Sequence, residues 1–206
     1  MDQVLPSFRS PESALLPYDG QVALYQSVFA EPDELFIRLR ECLKWEQKQV
    51  VVFNRRHNEP RLSAWYGDPD AVYAYSGMSL SPIPWVEPLV AIKEKSEALT
   101  SSKFNSVLAN FYRNGNDSMG WHSDDEPELG PHPTIASVSF GAERRFDFRH
   151  RRTKEKISVL LPHGSVLVMS GTTQSYWQHA IAKTKRISDP RINLTYRLVT
   201  PELSRG

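Results

Sequence analysis

In the segment Trp121-His122-Ser123-Asp124 an imidazole and a carboxylate stand two residues apart. If that segment is extended, alternate side chains share a face, so His122 and Asp124 point to the same side. A metal site needs a third ligand. His179 lies far along the chain in a strand-like stretch that can pair back across a β-structure and supply it. Two imidazoles and one carboxylate make the facial triad of non-haem iron(II) oxygenases. Such a set covers one face of the ion and leaves the other open for a chelating co-substrate and dioxygen. Taken alone the trio is weak evidence, because the chain has six histidines. His57, His132, His150 and His163 sit in turn-like or charged contexts and read as surface residues.

A second pattern lies near the end of the chain. In Arg191 to Leu198, Ile192, Leu194, Tyr196 and Leu198 share one face of a strand, and Arg191, Asn193, Thr195 and Arg197 share the other. Two arginines on an interior face need anionic partners. A dicarboxylate co-substrate is one such partner and a metal-binding aspartate is another. The competing reading is an edge strand with a solvated polar face. Asn110 and Tyr112 share a face on the strand leading toward His122 and offer neutral donors. Other chemistries have no anchor, since the chain lacks a phosphate loop, a dinucleotide glycine fingerprint and a Gly-x-Ser-x-Gly elbow. Its single cysteine excludes a disulfide framework and a cysteine zinc site, and favours a reducing compartment.

The elements that must hold these residues follow from periodicity. Helical spacing of Leu35, Phe36, Leu39, Cys42 and Leu43 predicts a helix over Pro32–Trp45, with Cys42 packed as a small hydrophobe. A second helix fits Glu87–Leu99. Between them, the aromatic-rich stretch from Val50 to Pro84 reads as short strands and hairpins. Beyond Lys103, short β-branched or aromatic runs predict strands at Asn105–Arg113, Thr134–Phe140, Arg145–Arg149, Lys156–Leu161, Ser165–Ser170 and Arg191–Thr200. Strands in succession without helices between them argue a mainly β (α+β) fold, a sandwich or jelly roll. A chain of 206 residues with 40% hydrophobic content suits one domain with a sizeable core. We expect a loosely held lead over residues 1–20 and one domain over 21–206. The net charge of +1 excludes a uniformly basic nucleic-acid coat but not a local basic patch. Prolines break the N-terminal region, and no apolar run is long enough for a bilayer. The expectation is a cytoplasmic protein (nuclear in a eukaryote) with no membrane partner.

Five segments now fall into an order. They are Asn110-Phe111-Tyr112, Trp121-His122-Ser123-Asp124-Asp125-Glu126, Ile135 to Gly141, Trp177-Gln178-His179, and Pro190 to Arg197. Together, between about Arg61 and Pro201, they resemble the AlkB-like 2-oxoglutarate dioxygenases, which are nucleic-acid dealkylases. The resemblance implies a double-stranded β-helix core over about 103–201 and a nucleotide-recognition lid over about 50–84. It implies Fe(2+) on His122, Asp124 and His179, with 2-oxoglutarate and dioxygen as co-substrates. Asn110, Tyr112, Arg191, Asn193, Thr195 and Arg197 would hold 2-oxoglutarate, Arg197 on its distal carboxylate. In the lid, Tyr73, Tyr75 and Ser76 would contact an extracted base, with Tyr75 stacked on it.

The expected activity is oxidative demethylation of N-alkylated bases such as 1-methyladenine and 3-methylcytosine, with release of formaldehyde. The expected partner is alkylated DNA, single-stranded or duplex, with RNA as a further substrate, and the expected state is a monomer. Asp125, and after it Glu126, would make the pocket mouth anionic for a cationic base. Arg144, Arg145, Arg149, His150, Arg151, Arg152 and Lys154 crowd one hairpin, and Arg55, Arg56 and Arg61 crowd the lid, where phosphates would be met. Phe53 ends an apolar run abruptly and reads either as a buried strand end or as a wedge filling the gap of a flipped base. Two alternatives are a dioxygenase of the same fold acting on a protein or small molecule, and a catalytically silent nucleic-acid-binding jelly roll.

Overall fold

A computed structural model describes residues 14–52, 55–75 and 78–200. The first half of the chain forms β1 (Gln21–Tyr25), α1 (Pro32–Cys42), β2 (Gln49–Val52), β3 (Arg55–Asn58), β4 (Leu62–Gly67), β5 (Tyr73–Tyr75), β6 (Met78–Leu80) and α2 (Glu87–Thr100). The second half forms β7 (Ser106–Tyr112), β8 (Met119–His122), β9 (Ile135–Gly141), β10 (Arg144–His150), β11 (Lys156–Leu161), β12 (Ser165–Ser170), α3 (Thr173–Tyr176), β13 (Trp177–Ile181) and β14 (Arg191–Arg197). None of the helices is long and apolar enough to cross a membrane.

Two antiparallel sheets face each other as a jelly roll. The larger has the order β1-β12-β9-β14-β7-β4 and the smaller β11-β10-β13-β8. Strand β14 is central, paired with β7 on one side and β9 on the other, and all of its residues are buried. Its alternation therefore separates two interiors, not a core from solvent. Ile192, Leu194 and Tyr196 join Val107, Ala109, Ala136, Val138 and Phe140 against Leu39 of α1 and Leu89 and Ile92 of α2. The opposite face of the sheet looks toward the smaller sheet, where Phe146, Phe148, Leu161, Trp177 and Ile181 form a second core with Leu167 and Met169. Burying a large apolar side chain contributes about 1.5–3 kcal/mol, so both layers are well anchored.

Three expectations change. Cys42 is exposed, because α1 turns Leu35, Phe36 and Leu39 inward and Leu43, just past its end, takes the buried place. His150 is not at the surface but fully buried (0% exposed), with Tyr18 and Trp177 at ring distances of 5.1 and 4.9 Å. The reason is that the β10–β11 hairpin folds over residues 14–20. Of the expected lead, residues 1–13 lie outside the described residues, whereas 14–20 are packed: Leu16 is buried and the Tyr18 carbonyl accepts from Trp177 Nε1 at 3.0 Å.

The connection after β7 is locked onto the one after β13. Gly115 N–H donates to Ile187 O at 2.9 Å and its carbonyl accepts from Thr184 N at 2.8 Å. The buried Arg144 guanidinium clamps the same junction, donating to the carbonyls of Asn114, Asp117 and Ala182. A Cβ at position 115 would lie 2.1 Å from Thr184 O and 2.7 Å from Ile187 O, both backbone atoms that cannot rotate away. Gly115→Ala should therefore destabilise the protein by about 1–3 kcal/mol, lowering Tm by roughly 2–12 °C in thermal unfolding. An unchanged Tm would mean that the two connections are not docked as described.

Candidate active site and metal centre

His122 closes β8 and His179 lies in β13, and the strand register sets them directly opposite each other. Asp124 follows two residues after His122, on the same side. Its Oδ1 is 4.0 Å from His122 Nε2 and its Oδ2 is 3.8 Å from His179 Nε2. One ligand atom from each of the three residues falls within 4.8 Å of the others. The sequence trio thus converges on one point, at the inner end of a cavity of about 230 Å³ between the sheets.

Each member is prepared for a cation. The Gly120 carbonyl accepts a hydrogen bond from His122 Nδ1–H at 2.9 Å, which leaves the Nε2 lone pair on the side of Asp124. Burial lowers the pKa of His179 to about 3, with His122 adding to the effect, so its imidazole is neutral and able to coordinate. Phe146 stacks on that ring at 5.1 Å and fixes its plane. Burial by itself would raise the Asp124 pKa, but the Arg197 guanidinium, and after it His179 and His122, outweigh it and hold the carboxyl below its usual range. Arg197 Nη2 donates to Asp124 Oδ1 at 2.5 Å. Gln174 Oε1 accepts the Asp124 backbone N–H at 3.0 Å, fixing the turn that presents the carboxylate. Two nitrogens and one oxygen without a thiol suit iron(II), and the donor set leaves an open face.

The polar faces of three neighbouring strands form the wall beside this cluster. In register, Arg191 lies opposite Tyr112, Asn193 opposite Asn110 and Ser139, and Thr195 opposite Leu108 and Ser137. Asn193 Nδ2 donates to Ser137 Oγ at 2.9 Å, and Thr195 Oγ1 donates to Asn193 Oδ1 at 3.2 Å. Arg197 is taken up at the metal end by Asp124. Arg191, 1% exposed, donates from Nη2 to Ser139 Oγ at 2.9 Å, while Nε and Nη1 have no hydrogen-bond partner among the described residues. Burial lowers its pKa to about 10, so it stays positive at neutral pH. Arg197 lines the cavity and its Nε likewise has no hydrogen-bond partner among the described residues, while the Arg191 guanidinium lies 5.3 Å from the Tyr112 ring.

At the other side of the cavity stand Lys48, Glu59, Arg61, Trp65 and Glu126. Asp125 is not among the lining residues: it is half exposed and paired with Arg151. Glu126 is the one that lines the cavity, with Oε2 buried and unpartnered. Arg61 is buried and donates to Asn110 Oδ1 at 2.8 Å, so it faces the cavity and not a phosphate. Arg144 likewise leaves the basic hairpin for the interior. Arg149 stays outside, 4.3 Å from the Trp121 ring. Tyr73 and Tyr75 lie in β5, while Phe53 and Ser76 fall outside the described residues. Sequence reasoning missed Gln174, Phe146, Arg144 and Glu59. The one local signal is the strict alternation of Arg145-Phe146-Asp147-Phe148-Arg149, which sets Phe146 and Phe148 on the face opposite their charged neighbours.

Comparison with known proteins agrees with this geometry. The 2OG-Fe(II) oxygenase superfamily matches residues 23–197. The DNA oxidative demethylase ALKBH2 of Mus musculus is 40% identical over 206 aligned residues, covering 94% of this chain and 86% of that protein. Alpha-ketoglutarate-dependent dioxygenase alkB homolog 3 of Bos taurus is 41% identical over 182 residues. There the match takes in 84% of this chain but only 63% of the bovine protein. The solved structure of OsALKBH1 shares the fold at a TM-score of 0.56 and 18% identity, covering 85% of this chain and 97% of that one.

His179→Ala should weaken binding of Co2+, followed by calorimetry, by more than about a hundredfold. Gln174→Leu, which removes the acceptor of the Asp124 backbone N–H, should cost roughly tenfold to a hundredfold. Wild-type affinity in the His179 variant would dissolve the cluster as a metal centre.

Proposed function

The chain belongs to the 2OG-Fe(II) oxygenase superfamily, and we propose that it removes N-methyl groups oxidatively from alkylated bases in DNA. The single observation that carries this reading is the His122, Asp124 and His179 cluster, set at the end of a cavity whose lid side carries two further carboxylates, Glu59 and Glu126. The names of the ALKBH2 and alkB homolog 3 relatives support it.

His122, Asp124 and His179 would hold iron(II), which with 2-oxoglutarate and dioxygen would supply the oxidation of the N-methyl carbon, with succinate and carbon dioxide as co-products. The rest belongs to the protein. Arg191, whose Nε and Nη1 have no hydrogen-bond partner among the described residues, would hold the distal carboxylate of 2-oxoglutarate, with Tyr112 beside it. Asn110, Asn193 and Thr195 offer neutral partners along the wall. Arg197 keeps Asp124 anionic, so the ligand set retains its charge while the co-substrate enters and leaves. An N1-methylated adenine or N3-methylated cytosine is cationic, and the carboxylate of Glu126 favours it over the neutral parent base. Once hydroxylated, the N–CH2OH group loses formaldehyde and restores the base. The exposed basic residues Arg145, Arg151, Arg152, Lys154 and Lys156 on β10, β11 and their turn supply phosphate contacts for a DNA strand, and RNA offers the same phosphates.

Succinate and formaldehyde should both form with oligonucleotides carrying 1-methyladenine or 3-methylcytosine, single-stranded and duplex being assayed side by side. Unmethylated oligonucleotide should give succinate at a low uncoupled rate and no formaldehyde. Formaldehyde absent from every methylated arm would refute the substrate. Arg191→Ala should raise the 2-oxoglutarate KM by roughly tenfold to a hundredfold and leave the oligonucleotide KM near its wild-type value. If titration of the co-substrate shows no such rise, Arg191 is not its anchor.

A further inference from the structure

Glu59 sits in the turn between β3 and β4, on the lid side of the cavity. Its backbone is pinned on both sides: its N–H donates to Lys48 O at 2.8 Å, and its carbonyl accepts from Gln47 Nε2 at 3.1 Å. The side chain is only 14% exposed, and Oε2 lies 3.3 Å from Arg61 Nη2. That ion pair balances charge, but Oε2 accepts no hydrogen bond from the described residues. Arg61 is itself directed elsewhere, through Nε, to Asn110. Glu126 Oε2, on the same cavity, is also buried without a donor. Native proteins keep few buried acceptors unpaired, and two of them lining one cavity call for a ligand that brings N–H groups.

We infer that Glu59 and Glu126 together read the exocyclic amino group of the base, which makes Glu59 a specificity-determining residue for amino-bearing cationic bases. The inference rests on the proposed function. In 1-methyladenine and 3-methylcytosine the amino group adjoins the methylated nitrogen and shares its positive charge, so its N–H bonds are strong donors. In 3-methylthymine the same position is a carbonyl and the base is neutral. Facing the two carboxylates, that oxygen would leave both acceptors unpaired and be repelled by them. A site built to bond an N–H discriminates strongly against an analogue that lacks it.

A bracing role makes a different forecast. If Glu59 only orients Arg61, and through it Asn110, its loss would affect every base alike. The test is Glu59→Gln in the full chain, with kcat/KM for formaldehyde release measured on oligonucleotides carrying 1-methyladenine, 3-methylcytosine or 3-methylthymine. We expect the amino-to-keto ratio of kcat/KM to fall about tenfold or more, with Glu126→Gln moving it the same way. Because the ratio is taken within one preparation, partial misfolding cancels. A ratio held at the wild-type value, or a wild-type ratio near one, overturns the inference. A wild-type chain that demethylates none of the three bases overturns the proposed function itself, and this inference with it.

Discussion

The contact between Arg197 and Asp124 is the constraint on which the rest of the site depends. Both side chains are buried, and they come from different sheets: Arg197 ends β14 of the larger sheet, and Asp124 follows β8 of the smaller. Burial opposes the charge on Asp124, and without a cation the carboxyl would tend to hold its proton and cease to be a metal ligand. Arg197 reverses that balance. Removing one member of a buried pair costs about 3–5 kcal/mol, mostly because the other is stranded, whereas the intact pair adds little over a well-packed apolar one. What the pair contributes is placement: it sets the separation of the sheets at the point where the ligands converge.

Around that point the jelly roll divides its labour by strand alternation. Alternate residues of β7, β9 and β14 pack against the helices, and those between them face the smaller sheet, where Leu108, Asn110, Tyr112, Ser137, Asn193, Thr195 and Arg197 line the cavity. A shift of register by one residue would turn the polar wall into the helix-facing core and so undo both at once. The apolar layer under α1 and α2 therefore fixes the geometry of a site it never touches. His122 and His179 use the same device in the smaller sheet, where their cross-strand pairing decides their separation.

Charge is sorted by depth. Arginines at 61, 144, 191 and 197 are buried and each is engaged in part by carbonyls, carboxylates or side-chain oxygens, while those at 145, 149 and 151 remain at or near the surface. A guanidinium can serve indoors because its planar fork meets several acceptors at once. The acidic run divides in the same way. Asp125 turns outward to Arg151 and Glu126 turns inward, since consecutive residues past the end of β8 leave on different sides.

Much of the fold and the heart of the site were legible in the sequence. Strand periodicity placed β7, β9, β10, β11, β12 and β14 to within a few residues, and His-x-Asp with a later His identified the cluster. Those signals are local, carried by alternation and by residue types that few other chemistries require. What the sequence could not determine was which of two polar neighbours faces the cavity and which faces solvent. It weighted Asp125 above Glu126 for the pocket mouth and gave His150 a surface position. Each choice turns on a partner distant in sequence: Arg151 for Asp125, and Tyr18 with Trp177 for His150. Residue type says what a side chain can bind, whereas only the packing of one sheet on the other decides which partner reaches it first.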